Sequence, residues 1–206
     1  MNVKDVIEVV RAMARRMEDE KDFLTQLDNE IADGDHGINM SRGFSAVEKK
    51  LPELEGKDIG TILKTIGLTL VSMIGGSAGP LFGTAFMRAG LAMAGKTEIS
   101  LDEILECLKV AIEGVQQRGR AVRGEKTMLD AMIPALEAMT ISRASSTDAK
   151  VVFASGITAA REGVDYTKTI IATKGRASYI GERSIGHQDP GATSFTYLLE
   201  AAASCL

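Results

Sequence analysis

Residues 59–74, IGTILKTIGLTLVSMI, decide the fold. The run is apolar almost all round, which places it at the centre of a helical assembly rather than on its rim. Asp58 stands immediately before it in the N-cap position. No stretch of 18 apolar residues occurs anywhere in the chain, so neither this run nor any other is read as a membrane span.

The helical period continues on both sides. Upstream, Val6, Ile7, Val10, Met13, Met17, Leu24 and Leu27 repeat on one face. Downstream, Pro80 falls where the first turn of LFGTAFMRAGLAMA begins, and Gly95 follows its end. Ser100 and Glu103 form an S-x-x-E capping box before LDEILECLKVAIEGVQQ. Thr127 is placed to cap MLDAMIPALEAMT, with a kink expected at Pro134. Ser146 or Thr147 opens a long helix, AKVVFASGITAAREGVDYTKTIIAT, stopped by Gly175. Asp189-Pro190 is an N-cap and first-turn pair for the last helix. No period-two alternation, repeat or low-complexity linker interrupts this pattern. The reading is one all-α domain over residues 1–206, of seven or eight helices. Segments 28–44, 74–80, 118–127 and 174–191 stand out as loops rich in chemistry.

Composition agrees. The 206 residues are 45% hydrophobic, with three Tyr, six Phe, no Trp and ten Met, which favours helix-on-helix packing and makes the Met core filler. Net charge is −4, so no global basic field exists for nucleic acid, and any phosphate must be held locally. Cys107 and Cys205 form no disulfide framework or metal spacing and read as reduced thiols of a cytoplasmic protein. The charged, amphipathic N-terminus lacks the apolar stretch of a signal peptide.

The segment DNEIADGDHGINMSRGF, residues 28–44, crowds Asp28, Glu30, Asp33 and Asp35 around glycine. On a continuous helix Asp28 and Asp35 share a face while Asp33 points away. The three Asp converge only if the helix ends near Ala32 and Gly34 turns the chain back. Three converging carboxylates are hard ligands suited to Mg²⁺ or Ca²⁺. An EF-hand loop starting at Asp33 would put Gly37 fifth, Ile38 sixth and Phe44 twelfth, and so lacks its required glycine and closing glutamate. The alternative is a solvated acidic helix end with Asp as turn former.

The other loops are individually ambiguous. GGSAGPLFG, residues 75–83, is either an anion-binding turn at a helix start or a tight connection, and it is not a P-loop. GEKTMLD, residues 124–130, offers Lys126 and the Thr127 cap. KGRASYIGERSIGHQDPGA, residues 174–192, gathers Arg176, Arg183, His187 and the Asp-Pro helix start in one long loop. Arginine suits phosphate, although Arg183 in particular is as readily an ion-pair partner. His36 and His187, the two histidines, both lie beside Asp in glycine loops, and no nucleophile elbow accompanies them.

Taken in order, D-x-x-x-x-D-G-D-H-G-x-N, GG-x-x-GPLFG, G-[DE]-KTM-x-D and GRASY-x-GERSIGHQDPGA resemble the nucleotide-binding L subunit of bacterial, phosphotransferase-system-dependent dihydroxyacetone kinase over residues 3–204. The resemblance implies an antiparallel, up-and-down eight-helix barrel with ADP and two Mg²⁺ at one end. It implies Asp28, Asp33 and Asp35 as metal ligands. It implies nucleotide contacts from His36, Gly37, Ile38, Asn39, Gly76, Ser77, Ala78, Gly119, Thr127, Met128, Arg176, Asp189, Pro190 and Gly191, with Arg176 stabilising charge and no residue acting as nucleophile. Two departures are visible: Ala32 stands where glycine is usual, and the loop serine is third (Ser77) rather than fourth (Ala78). The swap puts the hydroxyl contact to phosphate on Ser77, if it is made at all.

By the same resemblance ADP and ATP act as a retained cofactor. Phosphate arrives from a phospho-histidine subunit and passes to dihydroxyacetone held on a K subunit, and a transcription regulator is an additional partner. The chain opens on the first helix of the nucleotide domain, so its substrate is expected on a partner. Alternatives are a kinase subunit for another carrier-bound substrate, a metal-dependent phosphohydrolase, and a non-catalytic nucleotide sensor.

Overall fold

A computed structural model describes residues 1–206. Its nine α-helices are α1 (Val3–Asp19), α2 (Lys21–Ile31), α3 (His36–Leu54), α4 (Ile59–Met73), α5 (Ala78–Ala92), α6 (Leu101–Gly119), α7 (Leu129–Ser145), α8 (Ala149–Thr167) and α9 (Pro190–Ala203). A 3₁₀ segment, Arg176–Ser184, lies between α8 and α9. Eight of the helices close a ring: α1 packs on α3, each following helix on the next through α9, and α9 returns to α1. The ninth helix, α2, arises because the expected N-terminal face breaks at Glu20. It packs outside the ring against α3, the 3₁₀ segment and α9.

The central run behaves as its composition demands. Ile59, Ile62, Ile66 and Leu70 of α4 are buried to 1% exposure or less. Helix α4 lies unusually close to α5, because Gly67 and Gly83 face each other: a Cβ built on Gly67 would stand 2.6 Å from the Gly83 carbonyl oxygen. Neither position can take a side chain without separating the two helices. The interior retains a cavity of about 220 Å³ lined only by apolar side chains, including Met13, Phe86 and Phe153.

Neighbouring staves run antiparallel. The early-α3 hydroxyl of Ser41 donates to the late-α1 carboxylate of Glu18, and Asp58 before α4 accepts from Gly95 N after α5 at 2.9 Å. One end of the barrel therefore collects the N-termini of α3, α5, α7 and α9 and the C-termini of α2, α4, α6 and α8.

Several boundaries differ from the sequence expectation. Segment 28–44 is not one loop, since only residues 32–35 separate α2 from α3. The α8 helix starts at Ala149, capped by Asp148 accepting from Lys150 N at 2.9 Å, rather than at Ser146 or Thr147. It also stops at Thr167, eight residues before Gly175, because contacts described below take over its last carbonyls. Thr127 does not cap α7 alone: its hydroxyl accepts from Leu129 N at 3.2 Å, while Asp130 Oδ2 accepts from Thr127 N at 2.8 Å. The capping box at Ser100 and Glu103 and the Asp189-Pro190 helix start are present as read.

Candidate nucleotide and metal site

A cleft of about 500 Å³ opens at the collecting end of the barrel, a size ordinary for a small-molecule site. On one side the α2–α3 turn presents its acids. The α2 helix ends at Ile31, and Gly34 adopts φ 72°, so the chain doubles back. One carboxylate oxygen each from Asp28, Asp33 and Asp35 then lie within 4.8 Å of one another. Asp28 is buried, and its Oδ2 accepts from Asp35 N at 2.9 Å and His36 N at 3.3 Å. Burial raises its carboxyl above the ordinary range, the two amide hydrogen bonds oppose that, and Asp33 and Asp35 add to the rise. A cation among the three would reverse that repulsion, and three carboxylates suit a hard divalent ion.

Positive charge reaches the cluster from the far loop. Arg176, at the start of the 3₁₀ segment, lies 3.1 Å from Asp33 Oδ2. Arg183 does not line the cleft, nor does His187, whose Nδ1 instead pairs with Glu30 at 2.8 Å. Glu30 is thereby occupied outside the metal cluster. His36 lines the cleft from a buried position, with Nε2 2.9 Å from Ser194 Oγ. Burial lowers it to about 4, so the ring is neutral at pH 7.

The remaining wall is made of helix starts. Gly76, Ser77 and Ala78 line the cleft where α5 begins, and no side chain caps Ser77. The amides of Ser77 and Ala78 find no acceptor in the chain. Thr127 and Met128 line it at α7, where the Thr127 hydroxyl already accepts from Leu129 N. Asp189, Pro190 and Gly191 line it at α9, where Asp189 accepts from Ala192 N at 2.7 Å. Burial pushes Asp189 up to about 7. Gly119 lines the opposite lip with Leu81, Val115, Ala121 and Leu129, giving that half an apolar character.

Three of the expected contact residues stand off the wall. Gly37 packs against α2, where an added Cβ would sit 2.0 Å from Lys21 O. The Ile38 side chain is half exposed, and buried Asn39 accepts from Arg42 Nη2 at 2.6 Å. Only main-chain atoms of Gly37 and Ile38 are offered: their amides, in the first turn of α3, have no acceptor in the chain.

Two buried polar residues of the GEKTMLD stretch stand at the base of the cleft, and neither burial is expected from the sequence. Asp130 is fully buried, accepting from Thr127 N and from Gly124 N. Lys126 is 1% exposed. An acidic residue three positions after Thr127 was a local signal for the first, whereas nothing in the sequence marks a lysine for burial.

Residues 30–204 match the DAK2 domain family. The chain is 46% identical over 184 residues to the ADP-binding subunit of the PEP-dependent dihydroxyacetone kinase of Escherichia coli (strain K12), covering 89% of this chain and 88% of that one. It is 40% identical over 200 residues to the ADP-binding subunit of the PTS-dependent dihydroxyacetone kinase of Lactococcus lactis subsp. lactis (strain IL1403), covering 97% and 96%. Among solved structures, the dihydroxyacetone kinase from C. freundii in complex with AMP-PNP and Mg²⁺ superposes with a TM-score of 0.75 at 23% identity. This chain spans a third of that longer one, and the likeness establishes the common fold.

Proposed function

This chain belongs to the DAK2 domain family, and from that premise we propose that it is the nucleotide-holding subunit of a dihydroxyacetone kinase. In this reading ADP and ATP, with two Mg²⁺, stay in the cleft as a retained cofactor. Phosphate comes from a phospho-histidine subunit of a phosphotransferase system and goes to dihydroxyacetone on a partner K subunit. The observation that carries the reading is the convergence of the free first-turn amides of α3 and α5 on three clustered carboxylates in one cleft. Uncapped N-termini favour phosphate, and the carboxylates favour the cation that accompanies it.

Each residue then has a physical task. Asp28, Asp33 and Asp35 hold the metal, which when bound neutralises phosphate oxygens and polarises the transferring group. The free amides of Gly37, Ile38, Ser77 and Ala78 donate to phosphate oxygens. Gly76 lets the backbone come close, and the Ser77 hydroxyl takes over the contact that Ala78 lacks. Arg176 offsets developing negative charge from the loop side. His36 and Asn39 hold the first turn of α3 by their own hydrogen bonds. Gly119, Thr127 and Met128, with the apolar lip, enclose the base, and Asp189, Pro190 and Gly191 close the cleft at α9. No nucleophile is required of this chain, because phosphoryl transfer depends on positioning and charge.

Purification and reconstitution test the proposal. ADP should accompany the protein through gel filtration, one per chain. With the K subunit and a phospho-histidine donor, phosphate should reach dihydroxyacetone without added ATP. Rapid nucleotide exchange with multiple-turnover ATP hydrolysis would overturn the reading in favour of a hydrolase.

A further inference from the structure

Lys126 is 1% exposed, yet no carboxylate lies within ion-pairing distance of its ammonium. Nζ donates instead to three main-chain carbonyls: Thr167 O at 2.5 Å, His187 O, and Ile170 O at 3.5 Å. These acceptors are the end of α8, the segment leaving it, and the turn that precedes α9. A helix C-terminus carries unpartnered carbonyls and partial negative charge, so a buried ammonium there is well placed. Lys126 also holds φ 60°, a left-handed conformation that only one other non-glycine residue, Arg120, adopts here. A side chain kept in such a backbone position, with its charge buried, is over-determined by what surrounds it.

The stretch between the fastened carbonyls is the one that brings Arg176 to Asp33 and leads into Asp189. Its other ties include His187 to Glu30 and Lys174 to Glu125, with Ala172 and Ala177 packed on Ile31. Gly186 N donates to Lys168 O at 2.8 Å, Ala172 N to Ser184 Oγ at 2.9 Å, and Asp189 N to Thr167 Oγ1 at 2.9 Å. Thr173 N reaches Glu125 O, next to Lys126, at 3.3 Å. Burial lowers the Lys126 ammonium, and the nearby Asp189 and Asp130 charges oppose that.

We infer that Lys126 is a positioning residue: by clamping the end of α8 and the turn before α9, its ammonium holds Arg176 and the α9 N-terminus in place to retain nucleotide. The inference rests on the nucleotide reading given above. The clamp touches neither the metal cluster nor the glycine loop at α5, so its loss should loosen one wall of the cleft and leave the opposite wall intact.

The test uses the full chain with Lys126→Met, which keeps the stem, and Lys126→Gly, which suits the left-handed backbone. The expected result is ADP release faster by about tenfold or more, the scale of a lost charged hydrogen-bond partner. Amide hydrogen exchange should accelerate over residues 168–188 and stay unchanged in α4 and α5. A lysine serving only overall stability would instead accelerate exchange throughout and leave release from the folded protein unaltered. ADP release within twofold of the parent in either folded variant would overturn the inference. So would failure of both variants to fold, which would make Lys126 a requirement of the barrel. If the parent protein itself does not retain ADP, the nucleotide reading fails first, and that result is separate from any variant.

Discussion

The two ends of the barrel treat their helix N-termini in opposite ways. At the far end, α1, α4, α6 and α8 start on Asn2, Asp58, Ser100 and Asp148, and each of these side chains accepts from a first-turn amide. Asn2 with Asp5 and Ser100 with Glu103 complete reciprocal capping boxes. At the cleft end, Asp35, Ser77 and Met128 precede α3, α5 and α7 without making a side-chain cap. Asp189 caps α9 there and the Thr127 hydroxyl takes the Leu129 amide of α7, whereas α5 is left open. A cap and an anionic ligand compete for the same amides, so a helix start can be finished by its own sequence or left for something that binds. The far end is completed internally, whereas the cleft end leaves the amides of Gly37, Ile38, Ser77 and Ala78 without acceptors.

The sharpest way to break this contrast is to remove a charge proposed to hold the cation. Asp33→Ala or Asp35→Ala should weaken Mg²⁺-dependent ADP retention by about 100-fold or more, the scale of deleting one preorganised electrostatic contact. Helical content should be unchanged, since neither side chain caps a helix. In the absence of nucleotide Asp35→Ala should melt no lower than the parent, because it relieves repulsion on buried Asp28, whereas Asp33→Ala also gives up the Arg176 ion pair. Equilibrium dialysis with labelled ADP, together with thermal melts, decides this. Normal retention in either variant would show that the cation is not held here.

A second substitution converts an open start into a closed one. Ser77→Asp places a carboxylate at the α5 N-cap, within reach of Gly79 N, since Pro80 at the next position has no N–H. The free protein should gain about 0.5 kcal/mol from the helix dipole. ADP should bind about tenfold more weakly, because a carboxylate now stands where phosphate belongs. Opposite changes in melting and affinity from one substitution would sharpen the contrast, and unchanged affinity would remove α5 from the site.

The mirror experiment belongs to the far end. Ser100→Ala deletes a cap whose Oγ accepts from Glu103 N at 3.3 Å. It should lower stability by about 1 kcal/mol and leave ADP release unaltered, as read by denaturant unfolding and by the dissociation rate measured in parallel. A change in release would mean that the two ends are coupled through the barrel.

The same asymmetry explains what the sequence disclosed. Caps and capping boxes are local, so Asp58, Ser100–Glu103 and Asp189-Pro190 were legible from neighbours three residues apart. The Asp28–Asp33–Asp35 turn was legible because a single glycine, Gly34, decides whether three acids meet. Helix α3 was harder, since its first turn carries the chemistry-rich residues 36–39 and reads as loop. The end of α8 was not legible at all: Lys126, 41 residues away in sequence, takes the Thr167 carbonyl and ends the helix before its apolar pattern runs out. The Glu30–His187 pair, 157 residues apart, is equally beyond any local signal.

Acid should separate the ends by pH rather than by magnitude. At the far end, hydrogen bonds from Thr61 hold Asp58 at about 2, and the Lys96 and Ser100 contacts hold Glu103 at about 2. Both lie below their unfolded values of 3.8 and 4.5, so their stabilisation is complete above those values and is lost as pH falls toward 2. At the cleft end, neutral His36 sits at about 4 against 6.5 unfolded, so its contribution is lost as pH falls from 6.5 through 4. Asp189 acts in the other direction: raised to about 7 from 3.8, it favours the fold below 3.8 and loses that contribution as pH rises through 7. Between pH 7 and 5 the cleft end therefore carries opposed titrations, His36 against Asp189 and Asp28, while Asp58 and Glu103 at the far end are silent. Asp58→Asn should flatten the stability profile only below about pH 4, the unfolded range of an aspartate. Its profile at pH 5–7 should overlay the parent's in chemical unfolding measured across pH. A divergence in that upper window would place an acid-sensitive contact at the far end and erase the difference between the two ends.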